Sequence, residues 1–551
     1  FESNKMQQII YNQVNETMLN INMQIGDVTS SIIKENNQEF FSINSEGAYY
    51  SRDIGNPQLL QFNQLIEIPH GSVCKIDILQ QESIVLNLNN IKIIPSQPSL
   101  SKSQERESIE FEYNNITYEN NQFINQYIVE TINKGKMREV EIANVNINPI
   151  NYNPVTNELI IYTNIEFNIH FENANYQETI DFKHKYASPY FEAIFQNALI
   201  NYSSPYTTLT RENDFIEDNV TYVIVANSAF EGYLDEFIAW KNRKGYNVVL
   251  AYTNEIGSSA NDIKSFIEDQ YNNSNPASFV LLVGDTEQIP ASYSSGGHVS
   301  DLDYCDFTND NIPDVLCGRF SAQTPNQLLT QIEKTLEYEQ YTMPDPSFLN
   351  DVIMISGVDA SFAPTYGNGQ INYGNEYYFN NSNSINSTTF LYPESGSSAS
   401  QILNSANQGA SYINYTAHGY EQGWADPAFD NNDANSMSNN HKYPTMVGNC
   451  CLTNAFDSGT CFGEALLRKA NGGAIGYIGG SDVTYWDEDF WWGVGSGNIN
   501  TNPSFSSTGA GAYDGIFHEN NENNWAVVNS AITMVGNLAV AQANGMDDYY
   551  W

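Results

Sequence analysis

The sequence predicts two unlike halves: a β-rich amino-terminal domain, followed by an α/β domain with a mostly parallel sheet covered by helices on both faces. Up to about residue 205 the apolar residues alternate or come in short runs; beyond residue 220, short apolar strands take turns with helical faces. Between them "NYSSPYTTLTREND", residues 201–214, is polar, turn-rich and without period. At 551 residues, 41% of them apolar, the chain exceeds one ordinary core and suffices for two. The expected division is 1–205 as a β-rich domain, 206–219 as linker or processing segment, and 220–551 as the α/β domain, with a carboxyl end that is trimmed or processed.

Each element follows from its pattern. In "NELIIYTNIEFNIHF" Ile165, Phe167, Ile169 and Phe171 share one face, and "YNPVTN" before it supplies the turn, so the first half reads as antiparallel β. "ESIVLNLNNIKII" reads the same way. After the linker, "YVIVA" is a buried strand. Leu234, Phe237 and Ile238 then give a helical face that stops at Gly245, and "YNVVLA" is the next strand. A second helix carries Ile263, Phe266 and Ile267 and leads to "SFVLLVGD". In "TPNQLLTQIEKTLEYEQY", Thr324 is the expected N-cap and Pro325 the first helical residue, with Leu328, Leu329, Ile332 and Leu336 on one face. "DVIMIS", "ASYINYTAHG", "TMVGNC" and "GAIGYIGG" complete the strands.

A formal net charge of −43 argues against nucleic acid or an anionic membrane as partner, because either would be repelled. It favours cationic substrates or calcium. No run of apolar residues is long enough to span a bilayer. The first residue is Phe rather than Met, which implies a leader removed or left out. Sequons at Asn15, Asn115, Asn201, Asn219, Asn272, Asn380, Asn386 and Asn414 add weak support for a secreted or cell-surface glycoprotein. The six cysteines are too few and too scattered for a disulfide framework or a zinc-ligand spacing.

In a parallel sheet, ligand sites gather beyond the carboxyl ends of the strands. One strand runs to His418-Gly419 and another to Cys450-Cys451, which puts an imidazole and a thiol on one rim, suitable for acyl transfer by a thiolate. The bland alternative, a satisfied His and an inert small Cys, is accepted for His70, His170, His184, His298, His441 and His518.

A hydrophobic block ending in His-Gly, followed by another ending in Cys, resembles the cysteine peptidases related to caspases, legumain and clostripain, and among them the gingipain family. The resemblance runs through "YVIVANSAFEGYLDEFIAWKNRKGYNV", "FVLLVGDTEQIPA", "DVLCGRFS", "NYTAHG", "CFGEALL" and "YWDEDFWW". It implies a caspase-like α/β domain behind an amino-terminal pro-domain, a secreted proenzyme, and no cofactor for the chemistry. "CLTNAF" matches the family's nucleophile when read from Cys451, which leaves Cys450 pointing the other way. His418 is then the imidazole and Asp359, in "SGVDAS", the acid that orients it. Backbone N–H groups of Gly419 and Cys451 are the natural oxyanion donors, since a Gly beside the His lets backbone approach the substrate.

The resemblance also speaks to specificity. Arginine-specific gingipains carry an acid where this chain has Asn372. Lysine-specific members line their pocket with a Thr two before the His, an Asn two before the Cys, and an acid closing a Tyr-Trp-x-x-Asp run. Here those residues are Thr416, Asn449, Tyr485, Trp486 and Asp489. One carboxylate, a hydroxyl and an amide oxygen suit a compact ammonium with three donors. Protein or peptide substrates with a basic side chain, lysine favoured, are therefore expected, with the chain's own amino-terminal domain as inhibitor.

Two further features carry expectations. The basic cluster "NKGKMREV" offers Lys134, Lys136 or Arg138 as a substrate mimic for the pocket, against a plain charged hairpin turn. "SDLDYCDFTNDNIPDV" places Asp303, Asp306 and Asp310 in a loop reminiscent of a structural calcium site, against a solvated acidic loop, and Cys305 and Cys317 flank it as a candidate disulfide. Besides a cysteine endopeptidase in proenzyme form, two readings stay open. One is a catalytically silent structural or adhesive protein on the peptidase scaffold; the other is a surface-attachment transpeptidase with the same thiol chemistry.

Overall fold

The computed structural model describes residues 1–3, 6–105, 109–125, 127–205, 220–293, 297–516, 527–545 and 550. The expected linker, 206–219, lies outside them. The first half is antiparallel as its alternation predicts. Strand Glu158–Glu172 pairs with Met18–Gln24 on one side and with Val73–Asn87 on the other. A second sheet centres on Leu60–Ile68 and Val140–Ile147. Ile165, Phe167, Ile169 and Phe171 all point into the apolar core that the two sheets share. Two helices that the alternating pattern did not announce close this half, Tyr176–Tyr186 and Pro189–Ala198. Pro189 stands in the first turn of the latter, and Phe191, Ile194 and Phe195 on one face are buried.

The parallel strands of the second half, numbered from its first, are β1 Thr221–Ala226, β2 Asn247–Tyr252, β3 Ala277–Val283, β4 Leu316–Phe320, β5 Asp351–Ser356, β6 Asn386–Phe390, β7 Tyr412–Thr416, β8 Thr445–Asn449 and β9 Gly476–Gly479. They form two parallel sheets, in the orders β2-β1-β3-β4 and β6-β5-β7-β8-β9. The alternation explains the helices on both faces. Val223 and Val225 pack with Ile263 and Ile267 of helix Ala260–Asn272, whereas Ile224 and Ala226 pack with Leu328 and Ile332 of helix Pro325–Glu339. Thr324 caps the latter helix by accepting the Gln327 N–H. The short polar strand β6 and the long helix Asn529–Gln542 were not anticipated.

The halves are not separate globules. One apolar cluster joins Tyr49, Leu65, Val140 and Phe195 of the first to Trp491, Trp492, Val535 and Leu538 of the second. The basic cluster serves this junction and not the pocket. Arg138 sits at φ 53° in the turn of a hairpin and is buried, its guanidinium donating to the carbonyls of Tyr186, Ala277 (2.6 Å) and Asp314 (3.2 Å). The backbone N–H of Lys136 reaches Asp310, and its ammonium lies over the Phe182 ring. Lys134 lies on the same strand, Val129–Met137. The hairpin reading therefore displaces the substrate-mimic reading for Lys136 and Arg138.

The acidic loop is the other half of that contact. Asp303 pairs with Lys264 at 2.7 Å. Asp306 accepts the N–H groups of Thr308, Asn309 and Asn311, and Asp310 those of Lys136 and Ile312. With each carboxylate turned to its own partners, Asp303, Asp306 and Asp310 do not fit a calcium ion. Among the described residues no group of three or more His, Cys, Asp or Glu is arranged to hold a metal. Cys305 and Cys317 are free thiols. Asn414 is buried in β7, out of reach of glycosylation.

Replacing Arg138 by Ala leaves buried carbonyls without a donor, and the chain should lose about 3 kcal/mol of unfolding free energy. Denaturant titration of Arg138→Ala checks this; a loss below about 1 kcal/mol speaks against the junction.

Candidate active site

Three adjacent strands deliver the site. Ser356 at the end of β5 is in register with Thr416 at the end of β7, and Thr416 with Asn449 at the end of β8. Chains leaving these ends carry Asp359, His418 and Cys450-Cys451. His418 Nε2 lies 3.0 Å from Asp359 Oδ2. Burial alone would raise the Asp359 carboxyl, but the imidazole and the N–H groups of Phe362 (2.7 Å) and Ser361 (2.8 Å) outweigh it and hold the group below its ordinary value. Only glycine fits beside His418: a Cβ at Gly419 would lie 2.6 Å from the Cys451 carbonyl oxygen and 2.7 Å from Cys450 Sγ.

The adjacent cysteines face opposite ways. Cys450 joins the apolar core with Ile413, Met446 and Phe462. Cys451 Sγ instead accepts the Thr484 N–H at 3.3 Å. Burial, followed by the nearby Asp489 charge, pushes the Cys451 thiol up, only partly offset by the Thr484 N–H and by Lys102. The turn that releases Cys451 from the strand holds Leu452 at φ 61°, its N–H donating to Asp482 O.

The pocket is filled by a residue the sequence reading passed over. Lys102 is 2% exposed and its ammonium lies 2.6 Å from Asp489 Oδ2, 2.8 Å from the Asn449 carbonyl and 3.2 Å from Thr416 Oγ1. The indole of Trp486 forms the wall, its ring 4.9 Å from the ammonium and edge-on to the His418 ring. The backbone follows suit. Trp486 N–H donates to Leu100 O, Lys102 N–H donates to Thr484 O at 2.7 Å, and Ser101 bridges antiparallel to Tyr485. The Lys102 carbonyl accepts from His418 Nδ1. Residues 100–102 thus lie as an added strand along 484–486, with a lysine side chain in the cavity and its carbonyl at the imidazole.

The expected pocket residues therefore converge, with two changes of part. Asn449 meets the ammonium through its backbone oxygen, while its side-chain amide donates to the Asp489 carbonyl at 2.8 Å. Tyr485 contributes backbone: its N–H donates to Tyr550 at 3.0 Å. Asn372, by contrast, is turned to Thr501. Thr484, which donates its hydroxyl to Asp489 Oδ2 at 2.7 Å, Gln370, which donates to the Asp489 carbonyl at 2.6 Å, and Tyr550 were missed. No periodicity marks them. Lys102 carried only the signal of being a cation alone in the polar run "SLSKSQ".

Known proteins place the same two halves in the same order. The profile described as peptidase family C25 matches residues 216–550, and that of its propeptide residues 9–209. Lys-gingipain W83 of Porphyromonas gingivalis is 34% identical over 93% of this chain and 30% of its own length. Gingipain R2 of the same species is 26% identical over 76% of this chain and 56% of its own. The chain thus spans less than a third of the Lys-gingipain relatives it matches. Among solved structures, the Arg-specific cysteine proteinase gingipain R superposes with a TM-score of 0.51 at 25% identity, over 61% of this chain and 76% of that one.

A thiol so held is expected to resist iodoacetamide at neutral pH. Its raised value keeps the thiolate scarce until the pH climbs past the ordinary cysteine range, so labelling should accelerate on the alkaline side. Peptide mapping of the intact chain across pH 7–10 checks this, and Cys451 labelled as fast as free cysteine at pH 7 contradicts it.

Proposed function

The chain belongs to peptidase family C25, and from that premise we propose that it is a lysine-directed cysteine endopeptidase in latent form, acting outside the cell. What carries the reading is the fit of the Lys102 ammonium between Asp489, Thr416 and the Asn449 carbonyl. A buried carboxylate with two further oxygens at hand, the Asn449 carbonyl and the Thr416 hydroxyl, matches an ammonium's three donors and disfavours an uncharged occupant, which would leave Asp489 without its counter-charge.

In this mechanism Cys451 as thiolate attacks the carbonyl of a bound lysyl residue. His418, oriented by Asp359, gives its Nδ1 proton to the departing amine, and water then releases the acyl-enzyme. The N–H groups of Gly419 and Cys451 are assigned to the developing oxyanion, an assignment the close passage of the Gly419 and Cys451 backbones supports. The occupied pocket explains latency. Lys102 takes the place of the substrate lysine and draws its own carbonyl to His418, so substrates are excluded until residues 100–102 lift away. No helix among the described residues is long and apolar enough to cross a membrane.

Lys102→Ala in the full chain should raise hydrolysis of peptidyl-lysyl substrates. A peptidyl-lysine chloromethyl ketone should then label Cys451, with Cys451→Ala inert. Absence of both labelling and turnover sinks the peptidase reading in favour of a silent scaffold, and acyl transfer to an added amine in preference to water marks a transpeptidase. In the same background Asp489→Asn should cut kcat/KM for lysyl substrates by about a hundredfold or more, the cost of stripping one partner from a buried charge pair.

A further inference from the structure

The Asp489 carboxylate is held on both oxygens, and the second holder comes from the far end of the chain. Oδ2 receives Lys102 at 2.6 Å and the Thr484 hydroxyl at 2.7 Å. Oδ1 receives the Tyr550 hydroxyl, also at 2.7 Å. The direction of that last proton is fixed by its surroundings. The Tyr550 oxygen accepts the Tyr485 N–H at 3.0 Å and has two acceptors in reach for its single proton, the Tyr485 carbonyl at 3.4 Å and Asp489 Oδ1 at 2.7 Å, of which the closer, charged carboxylate oxygen is the stronger. Burial and the charges of Asp489 and Glu488 push the phenol well above its ordinary value, so it remains a donor. A cavity of about 770 Å³ has Thr484, Asp489, Trp492, Asn537 and Tyr550 among its lining residues.

We propose that Tyr550 determines specificity: by occupying Oδ1 of Asp489 it leaves substrate a single carboxylate oxygen, which suits the one-point ammonium of lysine and denies arginine its two-point pairing. This deepens the peptidase reading and rests on it. A guanidinium gains its advantage over an ammonium by laying two parallel N–H bonds on the two oxygens of one carboxylate. With Oδ1 taken by a phenol that is itself anchored to backbone, that geometry requires breaking the Tyr550 bond inside the protein. An ammonium needs no such exchange, since its remaining donors find the Asn449 carbonyl and Thr416. Tyr550 is a positioning residue for Asp489 and touches no reacting atom.

The latent chain supplies its own probe, because Lys102 is a built-in ligand. Four full-length chains form a double-mutant cycle: wild type, Lys102→Arg, Tyr550→Phe and the double variant, each read by denaturant titration. Lys102→Arg should destabilise the wild type, and Tyr550→Phe should relieve that penalty by about tenfold in equilibrium constant, roughly one hydrogen bond to a charged group. A purely structural role for Tyr550 cancels in the cycle. In the Lys102→Ala background, Tyr550→Phe should lower the ratio of lysyl to arginyl kcat/KM by about tenfold, expressed mainly in KM. An equal Lys102→Arg penalty in both backgrounds together with an unchanged ratio overturns the proposal. Coupling in the cycle with no turnover of either substrate instead overturns the peptidase reading and leaves the role of Tyr550 in the pocket standing.

Discussion

An ammonium and a carboxylate, both almost wholly out of water, meet at 2.6 Å between Lys102 and Asp489. Either charge alone at that depth is costly, and the pair is tolerable only because the remaining donors and acceptors are met by Thr416, Thr484, Tyr550 and the Asn449 carbonyl. Much of what surrounds the site follows from that constraint. The carboxylate is held by Thr484, in the loop before helix Trp486–Val494, and by Tyr550, whereas Thr416 of β7 and the Asn449 carbonyl of β8 hold the ammonium. The occupant must be exchangeable, so it comes from the other half of the chain.

Cys451 is buried, and burial together with the Asp489 charge holds its thiol above its ordinary value even though the Lys102 ammonium pulls the other way. His418 meanwhile faces oxygen on both sides, the Asp359 carboxylate and the Lys102 carbonyl. Lys102 thus fills the pocket with its side chain while residues 100–102 pair as an added strand along 484–486.

Two basic residues of the first half reach deep into the acidic second half, and they do different work. Arg138 spreads its planar donors over three carbonyls and locks a hairpin against β3 and the acidic loop. Lys102 offers one compact charge to one carboxylate. The choice follows from side-chain chemistry: a guanidinium satisfies several fixed backbone oxygens at once, whereas an ammonium on a flexible stem can enter and leave a narrow pocket.

By itself the sequence determined the two halves, the strands that follow a period of two, the early helices of the second half, and the His-Gly and Cys-Cys strand ends, because burial on one face imposes a period that survives in the order of residues. The resemblance added Asp359 and the lining of the pocket. Only the tertiary structure decided which lysine fills that pocket, that the acidic loop's carboxylates accept from backbone and from a neighbouring hairpin, and that Asn449 acts through its carbonyl. Lys102, Thr484, Gln370 and Tyr550 meet across hundreds of residues of chain, in loops and helix starts whose sequence carries no period. Their partnership is set by charge and hydrogen-bond demand at a buried carboxylate, a demand that exists only once the halves are packed.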